Sequence, residues 1–220
     1  MRICLTGANG ALGTVVQEVF TASGARVVGL AGPKSSTPLP LDHIRVEDLA
    51  DPEQARAAID AAVARMGGID ALVHLAGGFK WLPVAMSRPE DWRNLFASNV
   101  ESAFCTIQAA LPHMRAGASI VLVGANSAQP AGPGMAAYAA AKSGVARLTE
   151  ALSEELRPSG IRVNAILPSI IDTPANRRDM PDADHSAWTT PAAIADALLF
   201  LATPSSRAVN GALLPVTNAA

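Results

Sequence analysis

Residues 2–13 read Arg2-Ile-Cys-Leu-Thr-Gly-Ala-Asn-Gly-Ala-Leu-Gly13. Arg2 to Thr6 is a short, mostly apolar run of strand length. Glycines follow, and from Leu12 to Ser23 apolar residues recur at helical spacing until Gly24 stops the pattern. Glycines at such a strand-to-helix junction let the chain turn sharply and let a pyrophosphate approach the backbone. The helix then aims its first N–H groups at the phosphates. A glycine pattern alone can be an ordinary turn; its place between a strand and a helix makes it a nucleotide-binding signal. Gly7, Asn9, Gly10, Ala11, Leu12 and Gly13 are the candidate contacts.

Outward from that turn, apolar runs alternate with helical patterns, which predicts a single α/β domain over residues 1–220. Its core is a doubly wound parallel sheet of the Rossmann type, with helices on both faces. Strands are expected at Arg26–Leu30, Ile44–Leu49, Ile69–Ala76, Ser119–Gly124, Ile161–Leu167 and Ala212–Val216. Helices are expected at Pro52–Met66, from a capping box at Ser87-Arg-Pro-Glu90 through about His113, from near Tyr138 to about Leu156, and from Thr190-Pro191 to about Leu201. Between the second and third strands, Ala31–Leu41 holds three prolines and cannot be a normal crossover helix. Asp172 to Trp188 has no period and follows a strand end, as a substrate lid over about 172–189 would.

Length and composition narrow the class. The chain has 220 residues, half of them hydrophobic and few aromatic, enough for one full core. A net charge of −2 and the lack of a basic run argue against nucleic acid or an anionic membrane surface. No apolar stretch is long enough to span a bilayer. The amino terminus runs straight into the strand and glycine turn rather than reading as a signal peptide, so a cytoplasmic protein is expected. Cys4 and Cys105 read as buried thiols, not as a disulfide, and no metal-ligand pattern is present.

A second motif carries chemistry. Tyr138-Ala-Ala-Ala-Lys142 puts a phenol and an ammonium one helical turn apart on one face. A phenol ordinarily ionises near pH 10, and a nearby cation is expected to lower that value and make the hydroxyl a usable acid or base. Tyr-x-x-x-Lys is common by chance; behind a nucleotide-binding turn it is not.

Taken together, the two motifs resemble the short-chain dehydrogenase/reductase family over essentially the whole chain. The resemblance implies an NAD(P)-dependent oxidoreductase with Tyr138 as proton donor and Lys142 binding nicotinamide ribose hydroxyls. Asn99, in Ser-Asn-Val-Glu-Ser-Ala-Phe, matches a helix asparagine that supports a proton-relay water. Asp48, before Leu49, matches the acidic residue at the adenine. Leu75-Ala76-Gly77-Gly78 stands where the family has Asn-Asn-Ala-Gly, departing in its first two residues. Pro168-Ser-Ile-Ile-Asp-Thr-Pro174 matches the segment holding the nicotinamide amide, through the backbone of Ile170 and the hydroxyl of Thr173. The sequence is most similar to the dihydropteridine reductase branch, in Leu167–Thr190, Gly132–Tyr138 and Ala76–Phe79. The family places a serine thirteen residues before the tyrosine, which here is Ala125. That branch also lacks the serine. Ser127, two residues on, either lines the substrate or serves as the catalytic hydroxyl of a general carbonyl or 3-oxoacyl reductase. A third alternative is a non-catalytic nucleotide sensor. Strand two ends at Ala31 without the carboxylate that selects NAD, and Lys34 with Ser35 and Ser36 could hold a 2′-phosphate, so NADP is expected with NAD as the alternative. The family also implies a homodimer or homotetramer through the Ala-rich Asn99 and Tyr138 helices, acting on a small-molecule substrate.

Several residues have two readings. His74, in an apolar strand, reads as a satisfied core histidine rather than a base. Phe79, Trp81, Met135, Met180 and Trp188 line a flat-ring pocket or belong to the core. Arg177-Arg178 is a solvated pair or a lid contact for an anion.

Overall fold

The computed structural model describes residues 1–33, 40 and 42–218. Seven strands, β1 (Arg2–Thr6), β2 (Arg26–Ala31), β3 (His43–Arg45), β4 (Ile69–His74), β5 (Met114–Val123), β6 (Arg162–Pro168) and β7 (Leu213–Val216), form one sheet. Their order is β3-β2-β1-β4-β5-β6-β7 and every pairing is parallel. Strand order reverses between β1 and β4, so the carboxyl ends of those strands open the crevice where such sheets take ligands.

Alternation along the strands builds two cores. Cys4, Leu72 and Ile120 point to one face, where α2 (Pro52–Met66), α4 (Ser102–Ala110) and α5 (Ala136–Glu155) cover them. Ile3, Leu5, Val73 and Val121 point to the other, under α1 (Ala11–Ala22) and α7 (Pro191–Ala202). Burying each such side chain stabilises the fold by about 1.5–3 kcal/mol.

Local chemistry explains where elements start and stop. The Asp51 carboxylate accepts from Glu53 and Gln54 N–H at the start of α2, and Gly67 ends it with φ +81°. Thr190 caps α7 through Ala193 N–H. Three expectations need correction. First, β3 is His43–Arg45, not Ile44–Leu49. It is an edge strand, and the chain leaves it for a turn in which Ala50 N–H donates to Asp48 Oδ1 and Asp48 N–H to Gln54. Second, β4 stops at His74, and β5 starts at Met114 instead of Ser119, across Gly117 with φ +93°. Third, the long helix expected from Ser87 to His113 is broken. It comprises α3 (Pro89–Phe96), a wide π-type turn at Ala97–Glu101, and α4. Its amino-terminal box is also shifted. Arg88 N–H donates to the Asp91 carboxylate, while the Ser87 hydroxyl bonds back to Val84 O.

Residues 172–189 hold α6 (Pro174–Asp179) and a 3-10 turn at His185–Ala187, and a bridge between Ile171 and Thr189 brings the two ends of the segment together. Among the described residues no helix is long and apolar enough to cross a membrane, and no group of three or more His, Cys, Asp or Glu side chains could hold a metal ion. Both cysteines are free and buried.

Candidate active site

Tightness begins in the glycine turn. Gly7 has φ +66°, and a Cβ there would meet Ala76 N at 3.0 Å. A Cβ on Gly13 would lie 2.1 Å from Gly7 O. The turn is therefore folded onto itself and onto the residues after β4, which only glycine allows. Asn9 fastens it to strand two, accepting from Gly32 N–H at 3.0 Å. At Gly10, helix α1 begins with no side-chain cap, unlike α2, α6 and α7. Its first N–H groups, beside exposed Gly10 and Ala11, fit a phosphate group. Lys34, Ser35 and Ser36 lie outside the described residues. Asp48 is exposed and Leu49 half-buried beside the first core.

Tyr138 and Lys142 come from the first turns of α5. Lys142 is buried, and its Nζ donates to Val123 O at 2.8 Å and lies 5.9 Å from the Tyr138 ring centroid. Burial pushes the Tyr138 phenol up to about 12 and the Lys142 ammonium down to about 8. This corrects the expectation that proximity alone lowers the phenol. Desolvation disfavours both charged forms, and the ammonium is turned to a strand carbonyl.

Asn99 sits in the π-type turn and is 1% exposed. Its Oδ1 accepts from Gly78 N–H at 3.3 Å, and its Nδ2 donates to Gly78 O at 3.0 Å and Leu95 O at 2.8 Å. The side chain thus clamps the loop after β4 by both backbone polar groups of one residue, Gly78. Gly77 is squeezed between the site's parts: a Cβ there would lie 2.7 Å from Asn99 Oδ1 and 3.4 Å from Lys142 Nζ. Tyr138, Lys142, Asn99 and the stretch Ala76–Gly78 therefore form one cluster.

Behind that cluster runs a buried polar chain the sequence did not reveal. Thr6 Oγ1 accepts from Ala76 N–H and is hydrogen-bonded to His74 Nδ1, at 3.1 Å. His74 Nε2 faces Ser102 Oγ at 3.3 Å, and Ser102 donates to Ser98 O. Burial first, then the charge of Lys142, pushes His74 down to about 3, so it is a neutral spacer.

On the far side, Pro168 O accepts from Asn126 N–H, tying the loop after β5 to the end of β6. Ile170 is exposed, and its carbonyl accepts from Thr189 N–H. Thr173 Oγ1 caps α6 by accepting from Asn176 N–H, which leaves its proton to donate elsewhere. Ala125 is buried at the end of β5. Ser127 is exposed on the following turn, and its side chain makes no hydrogen bond among the described residues. Of the five candidate pocket residues, Trp188 is buried against His185, with ring centroids 4.3 Å apart, and belongs to the core. Phe79 instead meets Tyr138 edge-on at 4.9 Å. Arg177 is held by both oxygens of Asp172.

Comparison with known proteins names the class. Residues 7–218 match the family model described as enoyl-(acyl carrier protein) reductase, of the short-chain dehydrogenase type. The chain belongs to the short-chain dehydrogenase/reductase family and is an oxidoreductase of that family, whose members bind NAD(P). It is 33% identical to 2-(R)-hydroxypropyl-CoM dehydrogenase of Xanthobacter autotrophicus, across 98% of this chain and 96% of the relative. It is 28% identical to the 3-oxoacyl-(acyl-carrier-protein) reductase FabG of Vibrio cholerae, across 96% and 93%. A blue fluorescent protein from a metagenomic library, solved in complex with NADPH, superposes with a TM-score of 0.87 at 29% identity, covering 98% of this chain and 96% of that one.

Proposed function

We propose that this oxidoreductase is an NADPH-dependent reductase of the dihydropteridine reductase kind, with Tyr138 as its proton donor. One observation carries it. The Tyr138, Lys142 and Asn99 cluster is complete, while the position of the usual carbonyl-binding serine is Ala125, apolar and buried. A ketone oxygen needs that hydroxyl more than a ring that accepts electrons across conjugated nitrogens does.

Reduced nicotinamide supplies the hydride when bound. Tyr138 delivers its phenolic proton to the substrate atom that gains the electron pair, so the substrate takes up two electrons and two hydrogens in all. Lys142 hydrogen-bonds ribose hydroxyls and stabilises the phenolate left behind. Asn99 holds the loop after β4 and positions relay water to restore the phenol. Gly7, Asn9, Gly10, Ala11, Leu12 and Gly13 would hold the pyrophosphate, and Asp48 and Leu49 the adenine. Ala76, Gly77 and Gly78 would hold the ribose, and Pro168, Ile170 and Thr173 the nicotinamide amide. Residues 172–189 close over the substrate and exclude water. Ala31 at the end of β2, without a carboxylate, supports NADP over NAD. An exposed groove of about 510 Å³ lined by Trp92, Phe96, Ala97, Ala137, Ala140 and Ala141 supports pairing of two copies through α3 and α5.

A second reading, a 3-oxoacyl reductase using Ser127, is favoured by the relatives named FabG. The separating experiment follows loss of reduced-nicotinamide absorbance with quinonoid dihydropterin or acetoacetyl-CoA, each with NADPH and with NADH. Faster oxidation with dihydropterin and NADPH is expected. Preference for acetoacetyl-CoA, abolished in Ser127→Ala, would establish the second reading instead.

A further inference from the structure

We infer that the loop between β4 and α3 selects substrates with a flat ring, and that Phe79 and Trp81 are the residues that do so. The inference rests on Tyr138 marking the reacting end of the site. Phe79 is 62% exposed, yet its ring is fixed edge-on to Tyr138, at 83° between planes. Trp81 is 58% exposed, and an indole so open would ordinarily rotate freely. Here it is pinned. Its Nε1–H donates to Pro133 O at 2.9 Å, and Leu82 N–H donates to Gly134 O at 2.8 Å. Gly134, with φ +73°, lies against the indole so closely that a Cβ would sit 2.3 Å from Trp81 Cε2.

The loop's roots are equally fixed. Gly78 is clamped by Asn99, and Lys80 Nζ meets Asp91 Oδ1 at 2.6 Å. Arg88 Nε also faces that carboxylate, at 3.8 Å. Both cations of the loop thus face one carboxylate, which ties Lys80 to Arg88. On that frame stand two aromatic surfaces, Phe79 against Tyr138 and Trp81 against Gly134. Such surfaces favour a flat π-system, since the ordering cost has already been met by the fold. A linear acyl chain gains nothing from their planarity.

The test compares wild type with Phe79→Leu, Trp81→Leu and Gly134→Ala. The last variant keeps the indole but displaces it, and melting curves confirm folding. Two readouts are taken: the ratio of kcat/KM for quinonoid dihydropterin to that for ethyl acetoacetate, and the Kd of biopterin by calorimetry in the presence of NADP. In each variant the ratio is expected to fall about fivefold to tenfold and biopterin to bind weaker by a similar factor. An unchanged ratio and unchanged Kd in folded variants would overturn the selectivity while leaving Tyr138 as donor untouched. If neither probe is reduced but biopterin binding still weakens in the variants, ring selection stands and the dihydropterin-reductase reading fails.

Discussion

The nucleotide turn and the substrate loop face each other across Gly7 and Ala76, and they are built on opposite principles. The turn at Gly7–Gly13 works mostly through missing side chains: Asn9 alone among its side chains ties it to strand two, and a Cβ at Gly7 or Gly13 has no room. The loop at Phe79–Trp81 works through large side chains, an indole bonded to Pro133 O and a phenyl ring edge-on to Tyr138. A part that must fit an invariant cofactor is made of backbone. A part that must choose among substrates is made of replaceable rings on a fixed frame.

The largest effect expected is at the junction of the two parts. Tyr138→Phe should lower kcat/KM by about 10²–10⁴-fold, the usual worth of a positioned proton donor, with NADPH affinity unchanged within about twofold. Single-turnover and fluorescence titration measure the two separately, and turnover near wild type would remove Tyr138 from the chemistry.

Next comes the backbone side. Gly13→Ala puts a methyl where Gly7 O now lies, so NADPH should bind about tenfold or more weakly, with a lower Tm. An unaltered Kd would show that the turn has slack and would blunt the contrast with the substrate loop.

The smallest effect is one of stability, and its sign depends on pH. Burial holds Lys142 down to about 8, whereas the unfolded lysine keeps its ordinary, higher value. Below about 8 the folded protein bears a desolvated charge. Between there and the unfolded pKa, the folded state has released a proton that the unfolded chain still binds, so wild-type stability from this group rises with pH. Lys142→Met should therefore be more stable than wild type at pH 7, by up to roughly 3 kcal/mol, and the gap should close above pH 8. Urea melts at pH 7 and pH 9.5 read this directly. A gap that widened with pH would mean the ammonium is better solvated than its burial implies.

Much of this architecture was legible in the residues, for identifiable reasons. Helix α2 falls on Pro52–Met66, as expected, because Asp51, Pro52 and Gly67 punctuate it chemically. The Tyr138–Lys142 pair was legible because helical spacing puts both on one face. The site's other properties are sums over distant segments. The phenol's raised pKa depends on how deeply α5 is packed. The cap at Arg88 was missed because arginine is no capping residue; the carboxylate comes from Asp91. The indole pinned by Gly134 joins residues far apart in the chain. Its one signal was the turn-forming Gly132-Pro133-Gly134 just ahead of the tyrosine helix.

The π-type turn at Ala97–Glu101 has a consequence for how this chain can vary. Such a turn amounts to one residue inserted into a helix. Deleting any one residue there would let α3 and α4 join as a single regular helix, locally a better one. A five-residue π-type turn covers about the rotation that four residues cover in an α-helix, so α3 keeps its face to α5 and α4 its face to the sheet. The extra residue changes what lies inside the turn, and there it aims Asn99 at Gly78. The segment can lose a residue without moving the helices on either side of it, but not without losing the clamp on the loop after β4.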